Sequence, residues 1–331
     1  MDPLTHGLVG AAASQTVSSK EKMRPAAFTG FVAAMLADLD YFIHNPSDPL
    51  LNIEIHRQFT HSLIFIPVGA LIATGLLWWF VRKHLTLKET FLFSLAGYAT
   101  AGLMDAFTSY GTMLLWPFLD TRFAWNLISV VDPVFTLGLI ALVGFGVYHQ
   151  KKPLIYLAWG WLFLIMAFGM FQKERGNSAL LHWAEQRDHQ AEEIVVKPTI
   201  GNQILWRGNY IYDGRVFTNG IRAGLFSSVT IYEGESTELV NLEEEFGDYK
   251  NTTLYDDLKR FERLSEGYLV RHPEKPQIIG DGRYSMLPTS TLPLWGVEAD
   301  TTQTGQHLPF LYFRDAGEEV RTEFLEMLLG K

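Results

Sequence analysis

The chain has 331 residues, no cysteine, 27 Lys+Arg and 36 Asp+Glu, for a formal net charge of −9. Without a thiol there is no disulfide, no thiolate metal site and no cysteine nucleophile. Residues 1–175 hold 12 basic against 11 acidic residues and the remainder 15 against 25, so the acidic second half excludes nucleic-acid binding through a basic surface.

Mean hydropathy is +0.07, with 48% hydrophobic residues. That is mild for a transporter and high for a soluble enzyme, as expected of a chain whose halves differ. The opening Met1-Asp2-Pro3-Leu4-Thr5-His6 lacks the basic n-region of a secretory signal, and the following apolar stretch is broken by His6, Ser14 and Gln15. The N-terminus is therefore expected to be retained.

Residues 4–17 read as a short helix of small residues suited to close helix packing. A spanning helix needs roughly 20 mostly apolar residues. Residues 26–43, 62–81, 90–107 and 130–148 approach that, and 154–171 forms a fifth. The second half changes period: 204–212, 216–218 and 225–233 are rich in aromatic and β-branched residues, and Asp213-Gly214, Asn219-Gly220 and Glu233-Gly234 read as turns. Residues 254–264 and 318–329 have helical spacing, and 280–293 are loop-rich. The expected fold is an α-helical polytopic membrane domain over 1–172, of about five spans plus the short N-terminal helix. A soluble α+β domain follows over 173–331.

Basic clusters favour the cytoplasm. Alternating spans put Lys20/Lys22/Arg24, Arg82/Lys83/Lys88 and Lys151/Lys152 on one side, and the loops 45–60 and 108–129, with one Arg each, on the other. The segment after Phe171 then lies outside, so the reading is a multi-pass membrane protein with an extracytoplasmic C-terminal domain, in the periplasm or its equivalent.

Ionisable groups within or at the ends of membrane helices are costly and mark function. On this topology His6, Asp38, Asp40, His56, Arg57, His61, Asp105 and Asp132 all fall at the outer face. His56 and His61 are five apart, about 140° on a continuous helix, so they share a metal only if a helix begins between them, and Thr60 is an N-cap candidate. Neutral imidazoles with carboxylates suit Zn²⁺ or, with more oxygen ligands, Mn²⁺ or Mg²⁺. Arg57 is read as free to fork onto a phosphate. Asp38 and Asp40, two apart, do not face the same way on a helix, so one binds metal while the other orients a His or caps a helix. Asp132-Pro133 reads as an N-cap followed by Pro at the first helical position.

Asp2-Pro3-Leu4-Thr5-His6-Gly7, Ala37-Asp38-Leu39-Asp40, His56-Arg57-Gln58-Phe59-Thr60-His61-Ser62, and Asp105 followed by Thr108-Ser109-Tyr110-Gly111 and Leu115-Trp116-Pro117-Phe118 are together recognisable. They resemble the YdjM-type (LexA-regulated) family of inner-membrane proteins described as predicted metal-dependent hydrolases, over roughly residues 1–150. A His-x-x-x-Asp helix pair also resembles that of phospholipase C and P1-type nucleases, zinc enzymes that cleave phosphodiesters. One departure stands out: Thr100-Ala101-Gly102-Leu103-Met104-Asp105 has Ala101 where the resemblance implies a His one turn before Asp105.

The expected function is a membrane-bound metal-dependent hydrolase acting on a phosphoester, such as a lipid-linked substrate, among the membrane lipids. Its metal, Zn first and Mn or Mg next, is assigned to His6, Asp38, His56, His61 and Asp105, and its catalytic roles to Asp40, Asp105 and Arg57. The rival reading is a non-enzymatic membrane protein whose His/Asp cluster is a structural metal or polar site.

Overall fold

The computed structural model describes residues 1–331. The first half is helical: α1 (Pro3–Val17), α2 (Met23–Met35), α3 (Pro49–Ile55), α4 (Ile66–Val81), α5 (Leu87–Ala106), α6 (Pro133–His149) and α7 (Lys152–Glu185). Local chemistry sets their starts. Asp2 caps α1 by accepting from Thr5 N at 3.0 Å, Thr86 and Glu89 form a capping box on α5, and Asp132 caps α6 with Pro133 behind it.

The chain divides into two compact units. The first comprises Met1–Ile43, Ile55–Phe171 and Ile200–Asn202, and the second comprises His44–Glu54, Gln172–Thr199 and Gln203–Lys331.

In the first unit, glycine lets three helices meet at backbone distance. A Cβ on Gly10 of α1 would stand 2.4 Å from the Gly30 carbonyl oxygen of α2, and one on Gly97 of α5 would meet the same oxygen at 2.4 Å. Ser14 Oγ closes the junction by donating to Phe93 O at 2.7 Å. Close backbone approach substitutes for large apolar side chains.

The expectation of about five spans is overturned. Two helical runs have the length and apolarity to cross a membrane, Leu63–Val81 and Lys152–Glu185. The reasons are local. Residues 26–43 break into the 13-residue α2 and a 3-10 turn, Leu36–Phe42. The 20-residue α5 begins with Lys88 and Glu89 and ends with Asp105, and it buries Thr90, Ser94 and Asp105 inside the unit. α6 has only 17 residues. The expected fifth span runs on as the 34-residue α7, whose last turns belong to the second unit.

The second unit is α+β. One antiparallel sheet is β1 (Glu193–Pro198), β2 (Leu205–Tyr212), β3 (Arg215–Ala223) and β4 (Val229–Glu238), in that order. The chain then forms α8 (Leu242–Phe246) and α9 (Thr253–Leu264). A second antiparallel sheet holds β5 (Leu269–His272), β6 (Lys275–Asp281), β7 (Trp295–Glu298) and β8 (Phe310–Tyr312), and α10 (Glu318–Leu329) ends the chain. Asp213-Gly214 is a true turn, both residues at positive φ. Asn219-Gly220 and Glu233-Gly234 instead lie inside β3 and β4, where Gly234 gives way to the Thr289 and Thr218 carbonyls. α9 buries Leu254, Leu258 and Phe261 in a core that also takes Leu50 of α3. Arg260 of α9 pairs with Asp48 (3.0 Å), Glu54 (2.7 Å) and Asp257 (2.7 Å), which fixes the His44–Glu54 excursion in this unit.

Candidate metal centre

Seven of the eight ionisable residues singled out from sequence converge in the first unit. The 3-10 turn after α2 carries Asp38 and Asp40. At about 120° per residue, positions two apart diverge, and the two carboxylates accordingly flank one imidazole from opposite sides. Asp38 Oδ1 lies 3.4 Å from His61 Nε2, and Asp40 Oδ2 lies 3.3 Å from His61 Nδ1. Asp105 Oδ2 reaches His61 Nε2 at 3.1 Å and its Oδ1 reaches His6 Nε2 at 3.0 Å, while Asp38 Oδ2 is 4.0 Å from His6 Nε2.

Backbone geometry delivers these side chains. Gly102 lies against the Phe59–His61 turn so closely that a Cβ would stand 2.1 Å from His61 O, and this approach brings His61 over Asp105 one turn along α5. Arg57 takes a left-handed backbone with φ 60. Such a conformation costs on the order of 1 kcal/mol for a non-glycine residue. Arg57 N donates to Asp40 Oδ2 at 2.9 Å, and Arg57 O accepts from Met113 N at 3.0 Å and Thr112 Oγ1 at 3.1 Å, so the turn is held from both faces. Thr60 is no N-cap: it sits inside the Phe59–His61 turn, and α4 starts only at Ile66.

Asp40 is the organiser. It accepts from His56 Nδ1 at 2.8 Å and from Thr60 Oγ1 at 2.5 Å, and Thr60 Oγ1 lies 2.9 Å from His61 Nδ1. With Thr60 donating to Asp40, the His61 Nδ1–H donates to Thr60. The relay leaves Nε2 facing Asp38 and Asp105, where it takes either a proton or an ion. Burial pushes the Asp40 carboxyl up, but the hydrogen bonds with His56 and His61 outweigh it and hold the carboxyl well below the usual range. Burial likewise lowers His61, yet bonds to Asp105, Asp38 and Asp40 prevail and push it up to about 10. A proton or a divalent ion therefore satisfies the same group of anionic atoms.

The donor set fits a metal. His61 Nε2, Asp38 Oδ2 and Asp105 Oδ2 are buried atoms without a hydrogen-bond partner, although oppositely charged groups stand close by. Ligand atoms of His6, Asp38 and Asp105 lie within 4.8 Å of one another, with His61 Nε2 beside both carboxylates. Two imidazole nitrogens and two carboxylates suit Zn²⁺ or Mn²⁺. His56 stands apart from this set. Its ring is 6.4 Å from that of His61, centre to centre, and its Nδ1 is taken by Asp40.

Of the remaining residues, Arg57 departs from its sequence reading. Arg57 is not free for a phosphate: it is buried, its Nε is 3.0 Å from Asp105 Oδ2, and it donates to Thr108 Oγ1 at 3.3 Å. The amino group of Met1 also meets Asp105. Asp132 stays outside the cluster and caps α6, accepting from Phe135 N at 3.0 Å. Ala101 is buried among Ala37 and Tyr98 in an apolar cluster. Sequence reasoning passed over Thr60 as a relay, and over Tyr110 with Arg122, whose guanidinium lies 5.1 Å from the Tyr110 ring and donates to His56 O at 3.0 Å. The lone Arg in the loop 108–129 was the only available signal.

Two helical runs are long and apolar enough to cross a membrane, and a polar cluster lies buried beside the start of the first. The chain belongs to the YdjM inner membrane protein family, which it matches over residues 1–176, and it is an inner-membrane protein. It is similar to the inner membrane protein YbcI of Escherichia coli (strain K12), 29% identical over 174 residues, covering 50% of this chain and 94% of that one. No solved structure matches the chain.

Proposed function

We propose that the first unit is a membrane-bound, metal-dependent hydrolase of phosphoesters. The observation that carries the reading is the convergence of His6, Asp38, His61 and Asp105, with three buried ligand atoms that make no hydrogen bond. These four residues would hold the ion, Zn²⁺ first. Bound there, a divalent ion would acidify a water to near neutral pKa and polarise a phosphoryl oxygen.

The chain's own groups divide the remaining work. His56, anchored through Nδ1 to Asp40, keeps Nε2 to accept the proton of the attacking water, and Asp40 steadies the imidazolium that results. Water oxygen bonds to phosphorus, the ester oxygen leaves, and the proton on His56 passes to it. Arg57 balances Asp105 rather than gripping substrate. Arg122, half-buried beside Tyr110 and His56, is the cation placed to meet the phosphoryl charge.

Topology supports a site at the outer leaflet of a multi-pass protein. The run Leu63–Val81 begins two residues after His61 and ends at Arg82 and Lys83, and α7 begins at Lys152 and leads out to the acidic second unit. With basic ends inward, the cluster and the C-terminal half face outward. A lipid-linked phosphoester reaches such a site from the bilayer.

The test is metal content and turnover together. Purified protein should hold stoichiometric Zn, Mn or Mg and hydrolyse bis(p-nitrophenyl) phosphate or a phosphatidic acid. His56→Ala should keep the metal and lose turnover. A chain without bound metal refutes the reading.

A second reading rests on one observation: Arg57 and the Met1 amine already meet Asp105 inside the cluster. A metal site or polar network that ties helices together, with no turnover, accounts for that. Protein that holds metal but hydrolyses neither substrate favours it.

A further inference from the structure

The hairpin that joins β3 to β4 carries Leu225 and Phe226 at its tip, 56% and 102% exposed. Full exposure of a phenylalanine beside a leucine is costly in water, and burial of either is favourable. The tip has fixed surroundings rather than a free swing. Arg175 of α7 donates to Gly224 O at 2.8 Å and to Ser227 O at 2.6 Å, one bond on each side of the tip. Gln172, one turn earlier, donates to Ala223 O at 2.5 Å and to Gln203 O at 3.2 Å.

These bonds show which way the hairpin points. Ile221 of β3 packs beside Leu180 and near Gly176, whereas Ala223, two residues further, is bonded to Gln172. Two strand residues advance about 6.6 Å and four helix residues about 6 Å, so β3 runs antiparallel to α7 and in step with it. The next residues, Leu225 and Phe226, carry the tip beyond Gln172, toward the apolar stretch of α7. That stretch ends at Phe171. Three basic residues lie near that level in the chain: Lys173 and Arg175 on α7, two and four residues past Phe171, and Arg222 on β3, next to the Ala223 that Gln172 bonds. Exposed apolar residues next to basic ones match the boundary between headgroups and acyl chains.

We propose that the Leu225–Phe226 tip is a membrane-interface anchor: it dips into the outer boundary of the bilayer at the point where α7 emerges. The inference rests on the reading of α7 as a span, and its occupant is the lipid surface itself.

Because the chain has no cysteine, Phe226→Cys, Leu225→Cys, Asp213→Cys and Phe163→Cys each give one thiol for a bimane label in the full chain. The protein is placed in phosphatidylethanolamine–phosphatidylglycerol vesicles, with lipid-borne nitroxide as one quencher and aqueous iodide as the other. Asp213 lies in the turn before β3, and the eight steps of that strand from Arg215 to Ala223 at 3.3 Å each put about 26 Å of strand between it and the tip. Labels at 225 and 226 should emit to the blue of the Asp213 label, lose most of their emission to a shallow nitroxide and resist iodide. If both behave like the Asp213 label, the anchor is refuted. A label at Phe163, exposed on the middle of α7, reports the span itself. Deep nitroxide should quench it; if it answers to iodide instead, α7 does not span and the anchor falls with it. A quenched Phe163 label with water-exposed 225 and 226 overturns the anchor alone.

Discussion

The carboxylate of Asp40 holds His56 at 2.8 Å through Nδ1 and, with its other oxygen, binds the Thr60 hydroxyl that touches His61 Nδ1. One carboxylate thus sets the tautomer and direction of two imidazoles. Asp40→Asn keeps the volume but offers an amide, and its NH₂ group would face groups that themselves donate. Groups that orient metal-ligating histidines are worth roughly 10–100-fold in metal affinity or activity. Asp40→Asn should therefore weaken the metal by about that factor, while Asp38→Asn, which removes a ligand, should abolish stoichiometric binding. Titration with Zn²⁺ against a competing chelator reads both. Equal losses in the two variants would show that Asp40 is itself a ligand.

Gly102 supports the same arrangement from the backbone. A Cβ there would meet His61 O at 2.1 Å, and a backbone atom cannot swing aside. Overpacking of this kind costs typically 1–3 kcal/mol. Gly102→Ala should lower both thermal stability and metal occupancy. Gly75→Ala is the control, since a Cβ at Gly75 of α4 meets nothing within 4 Å, and it should leave both unchanged. A shared loss in the two variants would point to helix flexibility rather than contact.

Ala101 is best understood through its neighbours. It is 1% exposed and packs with Ala37 and Tyr98, and Tyr98 donates to Thr60 O at 2.9 Å. An imidazole at this position has to displace Tyr98, and with it the residue that relays Asp40 to His61. Ala101→His should accordingly melt earlier and gain no metal per chain. Elemental analysis beside a melting curve decides it: a rise in bound metal with stability retained would mean that the site lacks a ligand here.

How much of this was legible depended on the range of the interaction. Asp132-Pro133, the Asp213-Gly214 turn and the helix at 318–329 follow from local capping, turn and periodic chemistry, and they stand where sequence places them. The divergence of Asp38 and Asp40 was also visible in their spacing. The number of membrane spans was not, because apolar composition has two causes. In α4 it faces outward, with Leu71, Leu76, Trp79 and Phe80 exposed, whereas in α2 and α5 small residues bury one another around Gly10, Gly30 and Gly97. Arg57 looked available because nothing in the sequence joins it to Asp105, 48 positions along the chain. Similarly, Asn219-Gly220 has turn chemistry but lies in a strand, with a register shift between Phe217 and Asn219 where β3 meets β4.

Arg260 makes a separate prediction for the second unit. Its guanidinium reaches Asp48, Glu54 and Asp257, so Arg260→Ala leaves three carboxylates facing one another across α9 and the 44–54 excursion. The variant should be cut readily by protease between residues 44 and 54 under conditions where the parent resists. Lysine, a point charge on a flexible stem, lacks the planar fork with which Arg260 meets Asp48 and Glu54. Arg260→Lys should therefore restore only part of the resistance. Unchanged cleavage in Arg260→Ala would show that the apolar contact of Leu50 suffices to hold the segment.

The last prediction concerns pH and separates metal-loaded from metal-free protein. In the metal-free state His61 carries a proton, with its pKa raised from 6.5 to about 10 by Asp105, Asp38 and Asp40. A group whose pKa is higher folded than unfolded stabilises the fold fully below its unfolded value. That contribution fades as pH rises through the folded value. Metal-free protein should therefore lose stability steadily between about pH 6.5 and about pH 10. In loaded protein Nε2 is bound to the ion, no proton is there to lose, and the alkaline decline should be absent. Melting temperatures over that range, with and without chelator, give the comparison. His61→Asn, which has no titrating ring, should show neither the chelator-dependent decline nor stoichiometric metal. A decline of the same size in all samples would place the titrating group elsewhere in the protein.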